Sequence, residues 1–244
     1  NWGPVQDMDP GSTAKDLQPT ATYLDGDPVV VWVRNPSVSN DGTTATYDLN
    51  QRRLAYRFLR QPAGVQEPLG LPLAVASPSV EAFGTDRFAV AFSVATEPDA
   101  FIGTRRSLHT VQAEQCSAGI CLISGALEIT DNQQRRIFVE RPKMDRNQLD
   151  QGVITFRQLG VENATADDPD GVLRHTGALM QLVIELPEVP DPTEVAIDPF
   201  ELSNAGGVNW RVDAVFDPAS DSVLTSAVQV EIPSALRTAK TGAP

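Results

Sequence analysis

One recurring pattern constrains the fold of this chain more than any other: a proline, a short β-like run, a polar turn and a strongly apolar run. The pattern first occurs in "PTATYLDGDPVVVWV", which begins at Pro19 and turns at Asp25-Gly26. Similar stretches, 57 to 64 residues apart, begin at three further prolines: Pro78, Pro142 and Pro199. Because a fixed period is the signature of a repeat architecture, we predict repeat units that begin near these four prolines.

Each predicted unit also contains a further β-like run after a loop of variable length. The run from Arg52 to Leu59 carries tyrosine and phenylalanine at alternate positions, which favours a strand over a helix. The 19 prolines and 17 glycines are typical of many short strands joined by turns. We therefore predict an all-β fold, a β-propeller-like array of about four four-stranded antiparallel blades. The array is either a closed ring or part of a larger propeller, and the alternative is a β-sandwich with accidental proline spacing.

The predicted domain organisation is simple. Residues 1–233 form one β-propeller-type domain, and residues 234–244, which end in "SALRTAKTGAP", form a C-terminal tail or linker. The chain starts at Asn1 rather than at a methionine, so we expect a mature form, an excised domain or a fragment of a longer protein.

The net charge of the chain restricts the classes of partner that it can bind. It carries 19 basic and 32 acidic residues, a formal net charge of −13, so phosphate backbones and anionic lipid repel it. No apolar run approaches the roughly 20 residues of a membrane-spanning helix. We expect no nucleic-acid partner and no membrane insertion.

The two cysteines, Cys116 and Cys121, flank the turn-like sequence "SAGI" between two β-like runs. A disulfide that closes a hairpin tip is typical of an exported protein, and we predict one here, with a periplasmic, cell-surface or extracellular location. The alternative is two reduced thiols in a cytosolic protein. A structural zinc site would need more ligands than these cysteines and the two histidines, His109 and His175, provide.

The stretches "LQPTATYLDGDPVVVWV" and "RRLAYRFL" resemble the bacterial secreted propellers related to the sialidase (BNR-repeat) superfamily. The opening "NWGPVQD" resembles the last strand of a preceding blade. The resemblance implies an inner strand after the proline, an acidic-glycine turn and an apolar second strand. The chain lacks the Asp-box, Ser-x-Asp-x-Gly-x-x-Trp, that marks many members of the superfamily.

Catalysis of the sialidase type requires arginines that grip a carboxylate, a tyrosine nucleophile with a glutamate partner, and an aspartic acid. The chain has three tyrosines, Tyr23, Tyr47 and Tyr56, and spacing alone pairs none of them with a glutamate. We therefore predict a non-catalytic extracellular module that binds a protein or glycan, or serves as a scaffold, through long loops on one face such as Arg34 to Gln51. The alternatives are a sialidase-superfamily-like glycoside hydrolase and a structural subunit of an extracellular assembly.

Acidic loops suggest a calcium site. The sequence "ADDPDG" places Asp167, Asp168 and Asp170 in one short loop, where carboxylates could surround a hard cation. The alternative is that aspartate, proline and glycine simply form a good turn here. We expect no other cofactor, since the chain has neither a phosphate-binding loop nor a Gly-x-Ser-x-Gly elbow.

Three arginine pairs precede apolar runs in different units. We interpret them as exposed partners of nearby aspartates, each ion pair contributing little to stability. The pairs are Arg52-Arg53, Arg105-Arg106 and Arg135-Arg136.

Overall fold

The computed structural model describes most of the first three predicted units and the strand backbone of the fourth. The described residues are 8–9, 12, 14–36, 39–40, 45–46, 49–61, 64–68, 70–96, 105–116, 119–130, 136–147, 149, 151–158, 160–162, 172–174, 179–184, 200–203, 208–217 and 222–230.

The first sheet has the strand order β1-β2-β5 and is antiparallel throughout. Its strands are β1 (Lys15–Leu24), β2 (Asp27–Asn35) and β5 (Arg53–Phe58). The connection from β2 to β5 contains a small hairpin and one 3-10 turn: β3 (Ser39–Asn40), β4 (Ala45–Thr46) and Leu49–Gln51. The predicted strand at Arg52 to Leu59 is thus confirmed as β5.

The second sheet has the order β10-β8-β7-β6, with β9 paired to β8. Its strands are β6 (Val75–Phe83), β7 (Arg87–Ala95), β8 (Arg106–Cys116), β9 (Gly119–Leu122) and β10 (Leu127–Glu128). Successive strands are antiparallel and joined by short connections, as in a meander.

The third sheet has the order β11-β12-β15-β16, and a two-stranded sheet of β17 and β18 follows it. The strands are β11 (Val139–Arg146), β12 (Gly152–Gln158), β15 (Leu179–Ile184), β16 (Phe200–Ser203), β17 (Val208–Asp217) and β18 (Ser222–Val230). A separate hairpin lies between β12 and β15: β13 (Gly160–Glu162) and β14 (Val172–Arg174).

The first strands of the three larger sheets lie side by side and run in the same direction. The amide of Ser77 donates to the side chain of Gln18 at 2.7 Å, which links β6 to β1. The amide of Met144 donates to the hydroxyl of Ser79 at 3.0 Å, which links β11 to β6. The starts of β1, β6 and β11 therefore share one end of the molecule, which we call the strand-entry end; the opposite end is the strand-exit end.

Each of these three first strands contains a bulge at its proline. The pairing with the second strand skips the proline and the residue before it, and that preceding residue has a positive φ of 51–54°. The bulges lie at Gln18-Pro19, Ser77-Pro78 and Arg141-Pro142. Proline has no N–H to donate to the ladder, so the bulge accommodates it inside the strand rather than at its start.

Two apolar cores hold the three sheets together. Alternate residues of β7 point to opposite faces of the second sheet: Phe88 and Phe92 enter the core shared with the first sheet, and Ala89 and Ala91 enter the core shared with the third. Phe156, which is fully buried on β12, belongs to the second of these cores. The middle sheet thus takes part in both cores.

The predicted all-β class and antiparallel strand pairing are confirmed, whereas no closed ring is detected among the described residues. Pro199 lies outside the described residues. The strand that follows it, β16, is the outermost strand of the third sheet, and β17 begins the next sheet. The division into one domain and a tail stays a prediction. Within the described part of the chain, no helix is long and apolar enough to cross a membrane.

Candidate functional site

The predicted disulfide is confirmed. Cys116 and Cys121 are bonded, with their Cα atoms 5.9 Å apart, at the tip of the hairpin formed by β8 and β9. Ile120 and Leu122 of the same hairpin pack against the core between the first two sheets. The bond therefore closes a hairpin whose apolar side chains pack against the core, and its role is structural.

The predicted calcium ligands, Asp167, Asp168 and Asp170, lie outside the described residues, so this site stays a prediction. Within the described ranges, no group of three or more histidine, cysteine, aspartate or glutamate residues could hold a metal ion. Asp9, from the other acidic loop of the sequence, forms an ion pair with Arg34, and this hydrogen bond lowers the pKa of its carboxyl group.

His109 lies on β8 next to Ser107, with 2.8 Å between its Nε2 and the serine Oγ. Its ring stacks on Phe92 at a centroid distance of 5.8 Å. Burial lowers the pKa of His109 to about 4, although Glu128 acts to raise it. The arrangement resembles a nucleophile with its base, but Ser107 is only 1% exposed and no substrate reaches it. His175 lies outside the described residues.

Of the tyrosines considered as nucleophiles, Tyr23 is exposed near the hairpin that joins β1 and β2. Tyr56 is buried, and its hydroxyl contacts Gln66. Burial raises the pKa of Tyr56, which opposes formation of a phenolate. Tyr47 lies outside the described residues.

A network of ion pairs lies at the strand-entry end. Arg34, at the end of β2, binds Asp16 of β1 through two hydrogen bonds of 3.0 and 3.2 Å and also contacts Asp9. Burial acts to lower the pKa of Arg34, but the hydrogen bonds to Asp16 and Asp9 outweigh it and the pKa is raised. Asp9 and Arg34 are therefore both held in their charged forms.

Two further ion pairs lie at the same end. Arg53, at the start of β5, binds Glu67 at 2.8 Å. Arg157, near the end of β12, binds Glu140 near the start of β11, and only 7% of its side chain is exposed. Each of these carboxylates accepts a charge-assisted hydrogen bond from a guanidinium group.

Arg52 and Arg106 lie at the same end of the molecule. Their pKa values are lowered, whereas that of Arg34 is raised. Burial lowers the pKa of both guanidinium groups, and the charge of Arg52 lowers the pKa of Arg106 further. The interpretation of the arginine pairs as exposed ion pairs therefore fits Arg53 but not its neighbour Arg52.

A second arrangement lies toward the strand-exit end, between the first strands of the second and third sheets. Glu81 of β6 is partly buried, and burial together with repulsion from Asp145 of β11 raises its pKa to about 6. Asp145 accepts a hydrogen bond of 2.8 Å from the amide of Arg146. We call Glu81 and Asp145 the carboxyl pair.

The carboxyl pair provides one group that can donate a proton. Below about pH 6 Glu81 is protonated, because burial and the neighbouring Asp145 raise its pKa. The sequence prediction missed Glu81. Its signal is a single ionisable residue in the otherwise apolar or small-residue strand "VASPSVEAF".

No family model matches the chain, and no curated protein matches it. Two solved structures are similar. The α-L-arabinofuranosidase from Lactobacillus brevis has a TM-score of 0.45 and 12% identity, over 86% of this chain and 64% of that one. Zg3597, a family 117 glycoside hydrolase of the marine bacterium Zobellia galactanivorans, has a TM-score of 0.39 and 11% identity, over 96% of this chain and 93% of that one.

The prediction of a non-catalytic extracellular binding module is contradicted by these two structures, which are an arabinofuranosidase and a family 117 glycoside hydrolase. We therefore do not retain it. At this level of similarity the two structures assign no activity to the chain, so an activity must rest on the chain's own residues. The sialidase-superfamily resemblance has no matching family model and stays a prediction.

Proposed function

We propose that this chain is a glycoside hydrolase that uses the carboxyl pair. The observation that carries the proposal is the placement of Glu81 and Asp145 on adjacent first strands, with the pKa of Glu81 raised to about 6. Most glycoside hydrolases use two carboxyl groups beside the scissile bond, one protonated and one ionised.

In this mechanism Glu81 donates its proton to the glycosidic oxygen as the bond to the sugar breaks. The departing alcohol is then neutral, and positive charge develops on the sugar ring. Asp145 supplies the second carboxyl group, beside that ring. Burial raises the pKa of Glu81, so the resting enzyme holds its proton below about pH 6. After Glu81 has given up this proton, a water molecule forms the new bond to the anomeric carbon, and the proton that this water releases restores the protonated Glu81.

We also propose that the protein is exported. The Cys116–Cys121 bond supports this location, because such bonds persist in oxidising compartments and are rare in the cytosol.

A panel of aryl glycosides, including an α-L-arabinofuranoside, tests the proposed activity. We expect at least one substrate to be hydrolysed, with kcat/KM falling above about pH 6 as Glu81 loses its proton. Glu81→Gln should lower kcat/KM about 10²–10⁴-fold for a substrate with a poor leaving group. The loss should be smaller for a dinitrophenyl glycoside, whose leaving group needs no proton.

Glu114→Gln provides the matched control, because it makes the same chemical change on β8 of the same sheet. It should retain full activity. Hydrolysis of no substrate by the unaltered protein, or equal activity of Glu81→Gln and Glu114→Gln, would contradict the proposal.

A further inference from the structure

One buried hydroxyl group joins the two strands that carry the carboxyl pair. The Oγ of Ser79, on β6, accepts a hydrogen bond of 3.0 Å from the amide of Met144 on β11. Both residues are buried, and Met144 belongs to the core between the second and third sheets. Because β11 is the edge strand of the third sheet, this hydrogen bond extends its pairing to the second sheet.

The first and second sheets are joined in the same way. The Oγ1 of Thr20 accepts a hydrogen bond of 3.4 Å from the amide of Val80. In both cases the hydroxyl residue directly follows the proline of one bulge, and the donating amide lies two residues after the proline of the next. In the third sheet this position is Lys143, whose ammonium group cannot accept a hydrogen bond. The bulge itself therefore does not require a hydroxyl group, and we assign the hydroxyl to the contact between sheets.

The hydrogen bond of Ser79 lies next to the carboxyl pair. Glu81 is two residues further along β6, on the same face as Ser79, at a distance of roughly 7 Å along the strand. Asp145 directly follows Met144 on β11. Because side chains alternate along a strand, a slip of one residue between β6 and β11 would change which side chains face each other. The hydrogen bond thus fixes the level at which Glu81 and Asp145 meet.

The groups that act on Glu81 belong to this same contact between β6 and β11. Burial has the largest effect on its pKa, Asp145 raises the pKa further, and Arg146 acts to lower it. Directly opposite Glu81 on β7 is Ala89, which carries no charge. The titration of Glu81 therefore reports how closely β6 and β11 pack and how well they exclude water.

We propose that Ser79 is a positioning residue of the carboxyl pair: its hydrogen bond to the amide of Met144 holds β6 and β11 in the register that places Glu81 beside Asp145. Ser79 itself takes no chemical part in the reaction. Its importance for catalysis rests on the proposed function, whereas its control of Glu81 is measurable without any substrate.

Titration of Glu81 in the intact protein, followed by carboxyl-carbon NMR and assigned with Glu81→Gln, tests the proposal. In Ser79→Ala the amide of Met144 loses its acceptor and takes a water molecule instead, which hydrates the contact. We expect the pKa of Glu81 to fall by about half a pH unit or more, toward its ordinary value of about 4.3. Ser79→Thr should keep the pKa of the unaltered protein, because threonine accepts the equivalent hydrogen bond at Thr20.

Ser93→Ala is the matched control. It removes another buried hydroxyl group of the second sheet, one that donates to the carbonyl of Ala76 within that sheet. It should leave the pKa of Glu81 unchanged. The proposal is overturned if Ser79→Ala leaves this pKa unchanged, if Ser93→Ala shifts it equally, or if Ser79→Thr shifts it as far as Ser79→Ala does.

Kinetics separate this proposal from the proposed function. The fall of kcat/KM with rising pH should move to lower pH in Ser79→Ala by as much as the pKa of Glu81 moves, and should not move in Ser93→Ala. If the unaltered protein hydrolyses no glycoside, the proposed function fails, and the NMR titration still decides whether Ser79 controls Glu81.

Hydrogen exchange provides the decisive measurement if Ser79→Ala does not fold. In the unaltered protein the amide of Met144 should exchange as slowly as the amides that are paired within the third sheet, because Ser79 holds it in a buried hydrogen bond. Exchange of this amide at the rate of an open, hydrated amide would overturn the proposal.

Discussion

His109 is the buried base whose titration should dominate the acid sensitivity of the second sheet. Its pKa is lowered by burial to about 4, whereas an unfolded histidine titrates near 6.5. Between these values the unfolded chain binds the proton and the folded chain does not. The stabilising contribution is therefore present above about pH 6.5 and is lost as the pH falls through about 4, by up to about 3 kcal/mol.

Urea unfolding of the unaltered protein and of His109→Gln between pH 7 and pH 4 measures this contribution. The stability of the unaltered protein should fall more steeply toward low pH than that of the variant. Glu81, whose pKa is raised, favours the folded state below its pKa and so acts with the opposite sign, but it contributes equally to both proteins. A constant stability difference across this pH range would contradict the prediction.

At the scale of single elements, the disulfide-closed hairpin of β8 and β9 should contribute measurably to stability. The bond joins residues five positions apart, and closing such a short loop reduces the entropy of the unfolded chain by the equivalent of about 2 kcal/mol. We expect the double variant Cys116→Ser, Cys121→Ser to lose about this much free energy of unfolding in urea.

The matching control is the unaltered protein in the presence of reductant. It should unfold at the urea concentration of the double variant, since both lack the bond. If the double variant is as stable as the oxidised protein, the hairpin would not depend on the bond, and the contacts of Ile120 and Leu122 with the core would be sufficient to hold it.

The strands were largely predictable from local patterns, and their pairing across units was not. Pro19, Pro78 and Pro142 indicated the first strands correctly. Proline has no N–H to donate, so only a few positions of a sheet, such as bulges, accept it. The bulges at these prolines depend on the register between strands, which the spacing of prolines does not determine. The cysteine pair was predictable because its residues are close in sequence.

The site was less predictable than the strands for a physical reason. Glu81 and Asp145 are 64 positions apart in sequence and meet only because β6 and β11 lie side by side. The raised pKa of Glu81 follows from that burial and proximity, neither of which composition reveals. The sequence patterns identify which residue types are present, but the neighbours of each residue depend on how the sheets pack.

At the scale of the whole molecule, the second sheet should couple the first and third sheets into one cooperative unit. Its strand β7 contributes Phe92 to one core and Ala91 to the other, so neither core can separate without exposing a face of the same strand. Phe92→Ala in the first core and Phe156→Ala in the second should each reduce the free energy of unfolding by about 3–5 kcal/mol. Despite their different cores, both variants should retain a single transition.

Urea unfolding followed by two probes checks this coupling. Tryptophan fluorescence includes the buried Trp32 of the first sheet, while far-ultraviolet circular dichroism follows all the strands. For Phe156→Ala, in which the altered core does not include the first sheet, both probes should still report the same midpoint, at a lower urea concentration. A fluorescence midpoint that stays at the value of the unaltered protein, while the dichroism midpoint falls, would show that the first sheet unfolds separately from the third.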